Sequence, residues 1–526
     1  VRRLVGSEMC IRDSDRRVAK RTFSIISNCI LLFVVFGPLF VLIFHADQNF
    51  NFTAADKAAL EFTLLQAALS SLLSVLLAWP LALALSRRQF KGRHLLIVAL
   101  SVPFILPVIV AVLGLLSIFG HSGILNSLLQ FFGFPILSVY GLAGVLLAHI
   151  FFNIPLATRA FLLALERRPT ELERVADGLN LVSLTRFWIL DWPIIRFVAP
   201  QIFSLIFVLC LTSFAVVLTL GGGPKATTLE LAIYQSFRFE LDFGRAAFLA
   251  FIQLCIAAFT CTLSILIFGL PTNFNSGFDR PMHKRYLSVW SFFWDFGVII
   301  LLGLFLTVPL ISVLIKGIQN FYLLENTIWI PIINSIVLAL CSALISTILA
   351  MGFMNRWGEV VGTLSIAVSP IIIGAGLFLM VRNITNPFEI TFWVTLTVNS
   401  VMGLPFSIRI MRPASNEIIS SFRRLSHAHA MSPYAWFYWV YLPRLKGALT
   451  YSMGLVAALS MGDLGVIVLF GGADFETLPL VIYQLMSAYR TEQAMASAVI
   501  LVSISIGIFL IFDRIGTVSY THLRAH

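Results

Sequence analysis

The sequence predicts an all-α integral membrane protein, in which twelve transmembrane helices form two parallel six-helix repeats. Of the 526 residues, 59% are hydrophobic and only 12% are charged, and the mean hydropathy is +0.93. Apolar runs of about 20 residues, long enough to cross a bilayer as a helix, recur along the chain. Residues with special backbone properties also recur at one fixed offset, which indicates an internal duplication.

The apolar runs fall into two sets of six. The first set lies near 22–44, 62–85, 95–119, 141–165, 197–220 and 245–270, and the second near 291–316, 328–353, 360–382, 389–411, 447–470 and 493–512. These sets predict a first half over 15–270 and a second half over 291–516. The polar, turn-rich segment 271–290 is the predicted linker. Segments 1–14 and 517–526 match neither neighbour in composition and resemble translated sequencing adapters, so we expect a non-native leader and tail.

Basic residues predict the orientation of the chain. Lys and Arg are enriched in connections that stay in the cytoplasm, and they cluster in alternate connections, beginning with Arg87, Arg88, Lys91 and Arg93. Both termini are therefore predicted to be cytoplasmic, in a multi-pass membrane protein. The net charge of +11 is explained by this topology better than by a nucleic-acid partner.

The duplication has an offset of 250 residues. Pro193 and Pro443 are separated by 250 positions, as are Gly221 and Gly471. After a one-residue slip, TLELAIYQ at 228–235 aligns with TLPLVIYQ near the end of the chain. Because each unit has an even number of spans, both units enter from the same side, which suits a translocation path along the axis between them. A duplication retained only for packing is the alternative.

A charged segment between the fourth and fifth spans is predicted to form a helix, turn, helix arm outside the bilayer. Thr170 and Glu173 have the spacing of a capping box, and Leu172, Val175, Ala176 and Leu179 lie on one helical face. Asn180 can end this helix, and a second short helix is expected after Ser183, ending before Pro193.

The second half has a counterpart arm, with Phe422 and Leu425 as a shorter apolar stripe and Ser432 with Pro433 as cap and first helical residue. Two exposed apolar helices related by a two-fold axis require a two-fold partner with a groove. The alternative is that these helices lie on the lipid headgroups.

The spacing of the arm resembles the cytoplasmic loop of binding-protein-dependent ABC importer permeases. In the first half Glu173, Ala176, Asn180 and Pro193 occupy the positions of that pattern, and in the second half Ala430 and Pro443 keep its final interval. The chain departs from the pattern because Asn180 and Ala430 replace glycine and Arg423 replaces the acid. Since alanine tolerates a positive φ poorly, we expect the Ala430 turn to be built differently.

The segments GLAGVLLAHIFFNIPLATR at 141–159 and SMGDLGVIVLFGGADFETLPLVIYQ at 460–484 resemble the thiamine permeases of this family, which fuse two halves. The resemblance implies the type I ABC importer fold and coupling loops at 166–196 and 413–446. It implies two copies of a cytoplasmic ATPase subunit, which bind ATP and Mg, and a periplasmic substrate-binding protein as partners. No cofactor, metal or catalytic residue is expected in the chain itself.

Three functions other than a thiamine permease are the alternatives. A ferric-iron permease of the same fused design has the same architecture. An ion-driven secondary transporter would more typically carry several buried ionisable residues and a long connection between its halves. A membrane enzyme would need clustered His, Asp or Glu at one face, and the sequence shows no such cluster.

Polar residues within predicted spans are candidates for the translocation path. Asp463 is deep in a span, where a charge is costly, although it could instead accept backbone hydrogen bonds between Gly462 and Gly465. The other path candidates are Ser213, which matches Asp463 at the offset of 250, and Asn153 and Asn399, which could instead satisfy carbonyls freed by prolines.

A second group of candidates follows the fifth and eleventh spans on the predicted outer side. These residues are candidates for an outer vestibule or for docking of the binding protein, with packing as the alternative. They are Gly221, Gly222, Tyr234, Gln235, Gly471, Gly472, Tyr483 and Gln484.

Overall fold

The computed structural model describes most of the chain as helices. The described residues are 52–100, 106–166, 168, 170–179, 181, 183–268, 289–354, 368–382, 384–429, 431–471 and 475–524, with 27, 29, 31, 33–34, 36–42 and 44. Ten helices among them are long and apolar enough to cross a bilayer. The predicted all-α membrane fold is confirmed, and the count of twelve spans stays a prediction. Residues 1–14 and nearly all of 271–290 lie outside the described residues.

The helices are numbered in chain order. Those before the linker are α1 (Ala54–Arg87), α2 (Arg93–Ala99), α3 (Val108–Phe119), α4 (Ile124–Phe131), α5 (Leu142–Glu166), α6 (Thr170–Gly178), α7 (Ser183–Arg186), α8 (Trp192–Leu211), α9 (Ala215–Leu220), α10 (Leu229–Gln235) and α11 (Phe243–Phe268). Those after it are α12 (Val289–Gln319), α13 (Trp329–Gly352), α14 (Pro370–Val381), α15 (Thr391–Ala428), α16 (Pro433–Ala435), α17 (Leu442–Met461), α18 (Gly465–Phe470), α19 (Leu478–Ser487) and α20 (Thr491–Arg524).

Two predicted spans are interrupted near their ends. The run 197–220 is divided between α8 and α9, and the run 447–470 is divided between α17 and α18. The ninth predicted span, 360–382, is described only as the 12-residue helix α14 and its flanking residues. Hydropathy did not predict the interruptions because the residues around them are themselves apolar.

Residues near the start of each half pack against the other half. A Cβ atom added to Gly114 of α3 would lie 2.8 Å from the carbonyl oxygen of Pro309 in α12. The same relation holds for Gly376 of α14, where an added Cβ would lie 2.5 Å from the carbonyl oxygen of Pro38. Ser117 also donates a hydrogen bond to Ser312 Oγ at 2.7 Å. The helical segment around Pro38, which precedes α1, and helix α12 therefore each pack closely against the other half.

Equivalent hydrogen bonds hold a short helix to its own half in each repeat. The backbone N–H of Leu229, at the start of α10, donates to Thr63 Oγ1 of α1 at 2.8 Å. The N–H of Leu478, at the start of α19, donates to Ser335 Oγ of α13, also at 2.8 Å. The TLxLxIYQ segments thus occupy matching positions, which accounts for their similarity in sequence.

Candidate functional site

The first arm, which we define as residues 170–191, leaves the end of α5 and returns into α8. The described part of its first helix runs from Thr170 to Gly178, and Pro169 before it lies outside the described residues. The arm is held by Arg186, whose guanidinium donates to Asp177 Oδ1 at 2.6 Å and joins α7 to α6. The side chain of Glu173 and the whole of Asn180 lie outside what the structure describes.

The second arm, residues 420–441, begins differently. Here α15 continues without interruption from Thr391 to Ala428, through Pro413, so the predicted loop 413–446 begins inside this helix. Ser432 caps α16 as predicted, because its hydroxyl accepts the N–H of Ala435 at 3.1 Å. The second arm is therefore a direct extension of its membrane helix.

The turns within the two arms are closed by the same hydrogen bonds. The N–H of Leu181 donates to the carbonyl of Ala176 at 3.2 Å, and the N–H of Met431 donates to that of Ser426 at the same distance. This bond spans five residues, as in a Schellman motif. The expectation that the second turn is closed differently is not met at the residues flanking Ala430, and Ala430 itself lies outside the described residues.

Each arm returns to the membrane through a π-helical turn just before its proline. Phe187–Asp191 form this turn in the first half and Trp436–Tyr441 in the second. Both returning helices continue through the proline, so the prediction that the short helix ends before Pro193 is wrong. Proline removes an N–H and crowds the preceding turn, and the wider π-helical turn accommodates this. The shared prolines, Pro193 and Pro443, therefore lie in the first turn of a continuing helix and do not end it.

A buried carboxylate that the sequence reasoning missed fixes the first arm to the membrane helices. Asp191, which is 2% exposed, accepts a hydrogen bond from Arg87 at 2.7 Å and one from Arg168 at 2.8 Å. Its counterpart in the second half is Tyr441, whose hydroxyl lies 2.8 Å from Ser415 Oγ. The first arm is thus anchored by charge and the second by a neutral hydrogen bond.

The predicted apolar stripe of the first arm is largely uncovered in this chain. Leu172, Val175 and Leu179 are exposed, the last by 66%, whereas Ala176 is buried. Leu425 of the second arm is also exposed, at 46%. Both arms therefore present apolar side chains that the described part of the chain leaves exposed.

A cavity of about 390 Å³, the central cavity, lies between the halves where the two interrupted spans face each other. Three predicted path residues line it, namely Ser213, Asn399 and Asp463, and the fourth, Asn153, does not. Pro107, before α3, and Pro370, at the start of α14, also line it. The cavity is therefore built from equivalent positions of both repeats.

Asp463 sits in the interruption between α17 and α18. Its Oδ1 accepts the N–H of Gly465 at 3.2 Å, which is the structural role that the neighbouring glycines suggested. Its Oδ2 has no hydrogen-bond partner among the described residues. Gly462 is packed against the other half, since an added Cβ would lie 2.8 Å from Pro107 Cα.

Among the described residues, the two asparagine candidates donate hydrogen bonds to neighbouring helices. Asn399 Nδ2 donates to Ser460 Oγ at 2.9 Å, beside the central cavity. Asn153 Nδ2 donates to Cys210 Sγ at 3.3 Å. Neither of these two contacts satisfies a carbonyl freed by Pro155 or Pro405.

On the predicted outer side, the candidates differ in exposure between the halves. Gln235 and Gln484 are exposed, Tyr483 is half-buried and Tyr234 is buried. Burial raises the pKa of Tyr234 to about 12, and the charge of Tyr483 contributes. Gly222 has φ +71° and lies against Tyr140. Gly221 and Gly471 end α9 and α18, and Gly472 lies outside the described residues.

Contacts between the halves also lie on this side. The Phe237 ring of the first half lies 4.8 Å from the Phe378 ring of the second half. Arg238 donates to the carbonyl of Leu469 at 3.3 Å. These contacts join the first half to the second beyond the central cavity.

Comparisons with known proteins agree with this architecture. The chain is 37% identical over 494 residues to the thiamine transport system permease protein ThiP of Brucella melitensis, covering 90% of this chain and 89% of that protein. It is 33% identical over 483 residues to ThiP of Escherichia coli K12, covering 86% and 88%. A probable sulfate transport system permease, cysT of a Helicosporidium species, is 27% identical over 46% of this chain and 90% of its own length. No family model matches the chain.

Proposed function

The chain belongs to the family of thiamine transport system permeases, and from this premise we propose that it carries thiamine across the bacterial inner membrane as the permease subunit of an ATP-driven importer. The observation that carries the proposal is the pair of exposed apolar arms, each joined to a membrane helix through a π-helical turn and a proline. Two equivalent ATPase subunits, which hold ATP and Mg, would receive one arm each. A periplasmic binding protein would deliver thiamine to the opposite side.

The geometry supports coupling by alternating access. Each arm continues into a helix that ends at the central cavity, α8 near Ser213 and α17 near Asp463. A movement of the arms is therefore transmitted to the cavity walls along rigid helices. Opening towards the outer side would break the contacts of Phe378 and Arg238 between the halves. The ferric-iron alternative suits the cavity less well, because a hard cation requires several oxygen ligands and its lining is mainly apolar.

The proposal is tested by reconstituting the chain with its ATPase and binding protein in proteoliposomes. We expect ATP-dependent uptake of labelled thiamine, with ATP hydrolysis stimulated by thiamine-loaded binding protein. Leu179→Asp should abolish both and release the ATPase during purification, because a charge would replace an exposed apolar contact. Leu179→Met is the matched control and should retain both. Uptake that continues without ATP and follows a proton gradient would refute the proposal.

A further inference from the structure

We infer that the central cavity is a binding site for an organic monocation in transit, with Asp463 as the counter-ion. This inference rests on the proposed function for the identity of the cation, and on the geometry of the cavity for its charge. It assigns a substrate site to the permease itself, separate from any site on a binding protein.

The charge of the central cavity comes from Asp463. Asp463 is the only ionisable side chain among the described residues that line it. An uncompensated carboxylate at this depth is costly, and no described cation lies in the cavity wall to balance it. A cationic ligand would supply that balance in a setting where water screens the attraction poorly.

The hydrogen bond that Asp463 makes to the backbone does not require its negative charge. One carboxylate oxygen accepts the N–H of Gly465, and the other has no partner among the described residues. An uncharged Asn or Ser side chain could accept the same hydrogen bond. The first half has Ser213 at the equivalent position. The negative charge is therefore not needed to form the helix interruption.

The central cavity also has the size and the mainly apolar wall of a small-molecule site. The volume of about 390 Å³ lies in the range of roughly 300–1,000 Å³ that is typical of small-molecule sites. Phe214, Phe406 and Met402 contribute to the wall, and aromatic rings attract organic cations while methionine adapts to planar ligands. A single carboxylate in an apolar wall suits an organic cation better than a metal ion, which requires several oxygen ligands.

A single charge contact also suits a site that must release its ligand. Ser460 and Asn399 already bond to each other at 2.9 Å, so the polar groups left for a ligand are few. Binding that discriminates by charge and holds weakly would let the cation leave when the cavity opens to the other side.

The direct test measures binding to the purified full-length chain by equilibrium dialysis. The probes are labelled thiamine and its uncharged isostere, in which carbon replaces the quaternary nitrogen. We expect Asp463→Asn to weaken thiamine binding at least tenfold and to change binding of the isostere less than twofold. Asp463→Glu, which keeps the charge, should retain thiamine binding within about fivefold if the longer side chain still reaches the ligand. Glu492→Gln, which removes an exposed carboxylate from α20, is the matched control.

The outcomes separate this inference from the proposed function. Equal binding of thiamine by the wild type and Asp463→Asn, or no difference between thiamine and the isostere, would overturn the inference. Charge-dependent binding without ATP-driven thiamine uptake in proteoliposomes would support the inference and refute the proposed function. If Asp463→Asn lowers the melting temperature, rescue of binding by Asp463→Glu distinguishes a charge effect from misfolding.

Discussion

Replacement of Asp191 by asparagine tests whether charge anchors the first arm. The Asp191 carboxylate is almost fully buried and accepts hydrogen bonds from Arg87 at 2.7 Å and Arg168 at 2.8 Å. Removing one member of a buried ion pair costs about 3–5 kcal/mol, because the partner charge remains buried. The asparagine can still accept one hydrogen bond, so we expect the lower end of that range.

The equivalent substitution in the second half provides an internal control. Tyr441→Phe removes one neutral hydrogen bond, to Ser415, and such a loss typically costs about 0.5–1.5 kcal/mol. The two substitutions occupy equivalent positions in the repeat, so they differ mainly in the charge that is lost. Asp191→Asn should therefore loosen its arm considerably more than Tyr441→Phe.

The assay is amide hydrogen exchange of the π-helical turns, read by mass spectrometry. Since about 1.4 kcal/mol corresponds to a factor of ten, a loss of about 3 kcal/mol should speed exchange at Phe187–Asp191 by roughly a hundredfold. Tyr441→Phe should speed exchange at Trp436–Tyr441 by about tenfold or less. Equal acceleration in the two arms, or none in the first, would refute the assignment of Asp191 as a charge anchor.

Two further predictions concern contacts between the halves. Gly462→Ala should lower the free energy of unfolding by about 1–3 kcal/mol, because its new Cβ would lie 2.8 Å from Pro107 Cα. A lower melting temperature would show this loss. Gly507→Ala is the control and should melt like the wild type, because nothing lies within 4 Å of its added Cβ. Cysteines replacing Ser117 and Ser312, which are hydrogen-bonded at 2.7 Å, should form a disulfide that keeps the halves linked after proteolysis at a site inserted in the linker. Separation of the two fragments under oxidising conditions would contradict the packing of α3 in the first half against α12 in the second.

Much of the candidate site was visible in the sequence because its signals are local. The exposed stripe of Leu172, Val175 and Leu179 follows from helical spacing, and the offset of 250 between Pro193 and Pro443 marks the equivalent arms. The expectation that a helix ends before Pro193 is wrong, because proline is also accommodated in the first turn of a helix, where its missing N–H is not needed.

The sequence by itself determined the membrane fold, the duplication and the place of the arms, since hydropathy, turn chemistry and repeat spacing are properties of neighbouring residues. Only the tertiary structure decided which distant groups meet. In the sequence Asp191 is one of several charged residues in a polar segment, and only the fold buries it between Arg87 and Arg168. Ser213 and Asp463 came to line one cavity because the halves face each other across it. Such pairings depend on how helices pack, which hydropathy does not encode.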